Sequence, residues 1–440
     1  ATYKELLVKK ELQISTLEMS VQERKNINLN KLENEIANLE KKLSLEAEKI
    51  GLKIDKNQDL SWKDVKKQLK DGEIVLEITR IKYFDKQFTD SSLYLVLKID
   101  KNSNYPEAVL LPYGKYAENE IYNLFRNSII FNKPKQKETY EAFWKPLEKF
   151  TQNATRIYWA GDGVLSQINP ELLHDGENFL IDKFDFIFLS GSRDLLKPAP
   201  NYTNFNRQVA IIANPKFYMK SKNPKYSVAD LPGTLSEAKS IYQLLHENKW
   251  NSFQYLEENA LEANIKNLQG KYDVIHFATH GFFLEDTKLD EGISEEILEI
   301  KAINNPMMRS GILLAGAGDL IENQSFLGDG ILTAQELANM DFSDTKIAIL
   351  SACETARGEV TAGEGVFGLQ RSILMAGISN IIMSLFKVDD AATAELMTEF
   401  YKSYLHNPSN PHQAFKNAKK TIRDKYQKPI YWGAFILLGK

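Results

Sequence analysis

Short apolar runs recur along the second half of this 440-residue chain, each closed by turn residues and followed by a helical stretch. That alternation restricts the fold more than any other feature. The runs at 209–213, 274–278, 347–352 and 381–386 are five or six residues long and almost wholly apolar, the pattern of strands covered on both faces. A further strand is expected at 311–315. Helical patterns occupy 235–245, 260–268, 391–404 and 411–425. Strands alternating with helices imply an α/β fold, a mostly parallel sheet flanked by helices. The first half carries strand patterns at 73–83, 92–99, 107–111 and 156–160, an apolar segment at 179–189, and helical patterns at 62–69, 118–131 and 138–151. The two halves read as two related α/β units set side by side.

A different pattern precedes them. Leu29, Leu32, Ile36, Leu39 and Leu43 alternate spacings of three and four, and Ile50 extends the stripe by a heptad, which places them on one face of a helix. Residues 1–57 are therefore expected to be helical, either as an antiparallel hairpin or as the tail of a helical partner-binding array. The chain begins at Ala1 rather than at a Met, which fits the trailing part of a longer chain. The expected divisions are 1–57 (helical), 58–200 (first α/β half) and 201–440 (second half).

Composition removes several function classes. A formal charge of −4 gives no general attraction to nucleic acid or anionic lipid. No apolar run is long enough to span a bilayer. A single cysteine, Cys353, forbids a disulfide within the chain and a Cys-rich metal site. A reducing, cytoplasmic setting is expected, with no metal and no cofactor.

The candidate chemistry lies at two strand ends. Asp273-Val274-Ile275-His276-Phe277-Ala278-Thr279-His280-Gly281 runs apolar and stops at His280-Gly281, and Ile347-Ala348-Ile349-Leu350-Ser351-Ala352-Cys353 stops at the one cysteine. Ligands of open α/β sheets bind beyond the carboxyl ends of the strands. A thiolate is the attacking form of cysteine, and a neighbouring imidazole removes its proton and later supplies one to the leaving amine. Cys353 is the candidate nucleophile and His280 the candidate base. The N–H groups of Gly281 and Cys353 are candidates for the oxyanion site, each donor worth roughly 3–4 kcal/mol in such sites. His276 lies inside the strand with the same parity as His280 and reads as an interior or supporting histidine.

Several ordered motifs resemble the CHAT domain. They are His276-Phe277-Ala278-Thr279-His280-Gly281, Asp329-Gly330-Ile331-Leu332-Thr333-Ala334 and Leu350-Ser351-Ala352-Cys353-Glu354-Thr355. Gly363-Glu364-Gly365-Val366-Phe367-Gly368-Leu369, Met383-Ser384-Leu385-Phe386-Lys387-Val388-Asp389-Asp390 and Tyr431-Trp432-Gly433-Ala434-Phe435 join them. The resemblance runs from about Trp62 to Lys440. It implies a caspase-like fold related to caspases, separases and gingipains, with cysteine endopeptidase activity carried by His280 and Cys353. It implies a protein substrate, a bacterial gasdermin in some relatives, and a role in bacterial defence or cell death. It also implies tetratricopeptide-like helices ahead of the domain that receive an activating protein or an RNA-guided complex. The caspase signature around the cysteine is absent, and Ala356 stands where many relatives have Gly. By the separase-like pattern, Asp389 and Asp390 would line the pocket for a basic side chain before the cut. Either could equally open the helix that begins at Ala391.

Three other readings compete. Gly363-Glu364-Gly365-Val366-Phe367-Gly368 fits a dinucleotide fingerprint, but the preceding strand ends near Ser351, too early for one. The histidines lack zinc-protease spacing, and residues 314–318 lack a Walker pattern. A non-enzymatic partner-binding CHAT module is the remaining alternative. The acidic stretch 285–299 beside His280 reads as a solvated loop or as a flap over the site, one that holds the domain misaligned until a partner acts.

Overall fold

A computed structural model describes residues 2–18, 28–49, 60–111, 114–133, 137–198, 205–221, 228–283, 306–308, 310–319, 330–351, 364–386 and 388–440. Two helices, Thr2–Glu18 and Leu29–Lys49, come first. Leu6, Leu32, Ile36 and Leu39 form a small cluster of their own, with Leu43 packed on it. The stripe packs the two helices against each other, one of the arrangements its spacing allows. Ile50 lies outside the described residues.

The body is one eleven-stranded sheet. Its strands are β1 (Glu73–Asp85), β2 (Gln87–Asp100), β3 (Glu107–Leu111), β4 (Arg156–Ala160), β5 (Asp185–Leu189), β6 (Gln208–Pro215), β7 (Asn251–Glu257), β8 (Val274–Ala278), β12 (Ile347–Leu350), β13 (Asn380–Ser384) and β14 (Phe435–Gly439). Their order is β3-β2-β1-β4-β5-β14-β13-β12-β8-β6-β7. A separate three-stranded antiparallel sheet joins β9 (Gly281–Phe283), β10 (Ser310–Leu313) and β11 (Ile331–Thr333) in the order β11-β10-β9.

The central strands β8, β12, β13 and β14 are buried along their whole length, which explains their continuous apolar runs. β6, β8, β12 and β13 are mutually parallel. β14, the last strand of the chain, runs antiparallel to β13 and parallel to β5, so it joins the two halves in one sheet. One hydrophobic core accordingly runs from Ile74 to Leu438. The fold is the expected α/β arrangement, a large mostly parallel sheet flanked by helices.

Some elements differ from expectation. The run near Gly311 forms β10 of the small sheet rather than a strand of the main one. The helical pattern at 138–151 is split into Lys137–Phe143, a 3-10 turn at Lys145–Leu147 and Glu148–Thr151, because Pro146 cannot continue a helix. Only residues 185–189 of the apolar segment 179–189 form a strand, after a 3-10 turn at Leu180–Asp182. Among the described residues no helix is long and apolar enough to cross a membrane, and no group of three or more His, Cys, Asp or Glu could hold a metal ion.

Candidate active site

β8 and β12 are direct neighbours. Their parallel register pairs Ile347 with Val274 and advances residue by residue to Leu350 with Phe277. The Ser351 N–H continues the ladder, donating to the Phe277 carbonyl at 2.9 Å. His280 and Ser351 thus stand at the same edge of the sheet, at the carboxyl ends of adjacent strands. Cys353, the acidic stretch 285–299, Ala356 and Gly363 lie outside the described residues.

His280 is buried, 4% exposed. Its Nε2 is 2.8 Å from the Ala229 carbonyl oxygen. A carbonyl only accepts, so Nε2 carries the proton, and in a neutral ring the basic nitrogen is Nδ1. Phe217 lies against the ring, centroids 5.4 Å apart at 32°. Phe217 arrives there because β6 ends irregularly. Its register against β7 slips between Ala213 and Pro215, Asn214 adopts a left-handed φ of 47°, and the Asn214 N–H donates to Thr234 Oγ1. Such irregularities at strand ends re-aim the chain beside a site.

The Leu313 N–H donates to the His280 carbonyl at 2.8 Å, so His280 and Leu313 form a hydrogen-bonded antiparallel pair. The next pair, Gly281 with Ile312, is then a non-bonded one, and the Gly281 N–H turns away from β10. A Cβ added at Gly281 would meet nothing closer than the Gly311 carbonyl oxygen at 3.7 Å. Internal packing among the described residues therefore does not demand a glycine there.

Beneath this edge lies a buried polar cluster. His276 is fully buried, its Nε2 2.9 Å from Glu237 Oε1 and 3.3 Å from Ser351 Oγ, its Nδ1 3.3 Å from the Tyr401 hydroxyl. Burial pushes the Tyr401 phenol well above its usual pKa, with Tyr404 and Glu237 adding to the effect, so it stays protonated. The atoms satisfy one another when Nε2–H is donated to Glu237 and Nδ1 accepts from Tyr401. His276 is thus an interior, satisfied histidine, four residues before His280 along the chain. Both histidines face the same segment, Ala229 to Glu237, as their shared parity predicts.

Asp389 Oδ1 accepts from the Ala391 and Ala392 N–H groups at 3.0 and 3.1 Å, capping helix Asp390–His406. Asp390 packs against Gly233, where a Cβ would lie 2.6 Å from the Asp390 Cβ. Both aspartates are exposed and lie just beyond the carboxyl end of β13, the strand next to β12. β12 ends at Leu350, well before Gly363, which is too early for a dinucleotide fingerprint, and among the described residues the next helix is Glu364–Met375.

Sequence reasoning missed Glu237, Tyr401, Phe217 and Ala229. Glu237 had a signal: it shares the buried stripe of helix Pro232–Glu247 with Ala238, Ile241 and Leu245, and an acid on such a stripe needs a buried partner. Ala229 acts through a backbone carbonyl, which no side-chain pattern encodes.

Human Tetratricopeptide repeat protein 28 (Homo sapiens) is 23% identical over 342 residues, covering 72% of this chain and 13% of that protein. The mouse protein of the same name (Mus musculus) is 24% identical over 285 residues, covering 59% and 11%. The chain therefore spans about an eighth of the length of these relatives. Among solved structures, the Arg-specific cysteine proteinase gingipain R is similar with a TM-score of 0.41 at 10% identity, over 74% of this chain and 75% of that one. Separase in the Saccharomyces cerevisiae separase–securin complex gives a TM-score of 0.38 at 11% identity, over 68% and 17%. Residues 133–440, well over half of the sequence, match the family model of the CHAT domain, and the chain belongs to the CHAT domain family.

Proposed function

We propose that this chain is a cysteine endopeptidase of the caspase-like CHAT type, with Cys353 as nucleophile and His280 as general base. The observation that carries the reading is the adjacency of β8 and β12 in parallel register, with His280 and Ser351 at their shared carboxyl edge. Cys353 is two residues beyond Ser351, so its Cα lies within about 7.6 Å of the Ser351 Cα by chain geometry alone.

In this reading His280 Nδ1 takes the thiol proton, and the sulfur attacks the carbonyl carbon of the scissile bond. The tetrahedral oxyanion accepts from the Gly281 and Cys353 N–H groups. The C–N bond then breaks, and His280 returns its proton to the amine nitrogen. Water, deprotonated by the same ring, attacks the thioester carbon, and the C–S bond breaks to release the acid and the thiol. The outward turn of the Gly281 N–H, and the absence among the described residues of any close neighbour that would exclude a Cβ there, support this assignment. Asp389 and Asp390 are proposed to favour Arg or Lys before the cut.

The helical hairpin and the repeat-protein name of the relatives support reading residues 1–57 as the end of a tetratricopeptide-like array. In this proposal 58–200 is the non-catalytic half and 201–440 the catalytic half. The array would receive an activating protein or an RNA-guided complex, and the substrate would be a protein such as a gasdermin in bacterial defence.

The test is co-expression of the intact chain with candidate substrate and activator proteins, with new N-termini mapped by mass spectrometry. Fragments that vanish with Cys353→Ala and with His280→Ala are expected. Fragments that persist in both variants, or thiol alkylation no faster than that of free cysteine and unchanged by His280→Ala, would leave a partner-binding module instead. Equal cleavage of peptides after Leu and after Arg would remove the role given to Asp389 and Asp390.

A further inference from the structure

The two contacts that hold the His280 ring come from irregular chain. Ala229 lies in the lead-in to helix Pro232–Glu247, and Phe217 lies in the turn after β6. Unsupported coil would let both drift, and the ring with them. The structure gives each a support. The Phe217 carbonyl accepts from the Gly318 N–H at 2.8 Å, and the Lys216 carbonyl accepts from the Gly316 N–H at 3.1 Å. The next three residues, Met219, Lys220 and Ser221, all donate their N–H groups to one carboxylate, that of Asp319, at 2.6, 2.8 and 2.8 Å. Asp319 is 8% exposed, and a run of N–H groups converging on an anion is a strong, rigid arrangement.

Tyr218 links the two supports. Its ring lies on Gly318, where a Cβ would come within 2.5 Å of it. Its hydroxyl accepts from the Val228 N–H at 2.9 Å. Val228 is the residue before Ala229, so the phenol anchors the chain one residue ahead of the carbonyl that accepts from Nε2–H. Phe217, Leu313 and Ala317, with Tyr218, Val228, Leu231, Phe282 and Ile331 against them, form an apolar cluster separate from the main core. This corner of the molecule therefore depends on its own fastenings.

We infer that Tyr218 and Asp319 are positioning residues for His280: together they fix the Ala229 carbonyl and the Phe217 ring that set the tautomer and angle of the imidazole. The consequence for catalysis rests on the protease reading above, whereas the consequence for the ring does not. Losing the hydroxyl of Tyr218 frees the Val228 N–H, and the chain that carries the Ala229 carbonyl, the acceptor of Nε2–H, loses that anchor. The ring then exchanges between tautomers, and only the Nε2–H form presents Nδ1 as a base.

The experiment uses the full chain labelled with 15N-histidine. There are six histidines, and His280→Gln identifies the signals of interest. In the parent, His280 is expected to show a protonated-type Nε2 and an unprotonated-type Nδ1. Tyr218→Phe, which keeps the ring on Gly318, and Asp319→Asn, which keeps the volume but replaces acceptor capacity with an N–H₂ group, are expected to average the two signals. Unaltered signals in both variants overturn the inference. The second readout is the rate of iodoacetamide alkylation against pH, which reports Cys353 alone because it is the single cysteine. A roughly tenfold slower reaction at pH 7 in both variants is expected. If His280→Ala slows alkylation and Tyr218→Phe does not, the positioning role fails and the dyad stands. If His280→Ala leaves the rate unchanged, the dyad fails, and the tautomer signals alone decide the positioning role.

Discussion

Replacing Glu237 by Ala removes the acceptor for a fully buried imidazole N–H and leaves the rest of the cluster in place. Glu237 is 2% exposed and His276 is fully buried, so water cannot substitute for the lost carboxylate. Leaving a buried neutral donor without its acceptor costs about 1–3 kcal/mol, with about 2 kcal/mol as the central value. Unfolding entropy near 2.1 cal/mol/K per residue gives about 0.9 kcal/mol/K for 440 residues. The melting temperature is then expected to fall by about 2 °C. Glu237→Gln separates the hydrogen bond from the charge. Its amide oxygen still accepts from Nε2–H, so the loss should be about 1 kcal/mol, or about 1 °C. Scanning calorimetry of the three proteins at pH 7 decides. An Ala variant within 1 °C of the parent would refute the claim that the cluster is a stabilising, satisfied network. A Gln variant as low as the Ala variant would refute the neutral arrangement with Nε2–H as donor.

Three further outcomes are expected. The His412 imidazole lines a cavity of about 30 Å³ with Asp185, Phe415 and Leu437, and burial, opposed by Asp185, pushes its pKa down to about 4. The unfolded chain therefore takes up this proton first, so stability is full above about pH 6.5 and declines by about 3 kcal/mol as the pH falls to 4. His412→Leu should flatten that part of a melting-temperature series against pH. Lys419 is bonded to Glu171 with both groups buried: Lys419→Met alone should cost about 3–5 kcal/mol and the double variant Lys419→Met, Glu171→Leu much less, measured by urea midpoints. Gly330 has φ +75°, and a Cβ there would lie 2.4 Å from the Ala315 carbonyl oxygen, so Gly330→Ala should cost more than about 2 kcal/mol and raise amide exchange at Leu314.

The central strands were legible because burial on both faces leaves an uninterrupted apolar run, as in β8, β12 and β13. Their neighbours were not, since a run such as Ile347–Leu350 does not state which strand it pairs with. The position of β14 between the two halves follows from packing over the whole sheet. β7 escaped notice because it is a half-exposed edge strand with Asn251, Ser252 and Gln254 among its seven residues. β10 belongs to the small sheet, since a run as short as Gly311-Ile312-Leu313 looks alike in either. At the site, the strand end marked by His280 and Gly281 was readable from spacing. Its holders were not: Phe217, Ala229 and Asp319 come from three segments up to about a hundred residues apart and meet partly through backbone atoms.

One helix connects the two histidines. Along β8 the chain advances from His276 to His280 toward the site, whereas their partners step back from Glu237 to Ala229. Helix Pro232–Glu247 therefore runs antiparallel to the strand, with its N-terminus at the carboxyl edge of the sheet. Helix Asp390–His406 starts near the same place, with Asp390 against Gly233. Two helix N-termini at one edge favour negative charge there, which in the proposed protease reading would sit on the attacking sulfur or on the oxygen of a tetrahedral intermediate. Asp389 and Asp390 already occupy part of that field, so their removal has two opposed effects. It would weaken attraction for a basic side chain, and it would leave more of the helix potential for the reacting atoms. Asp390→Asn should therefore raise KM for peptides with Arg before the cut while leaving the alkylation rate of Cys353 the same or higher. A slower alkylation would mean that the helix ends do not act on the sulfur.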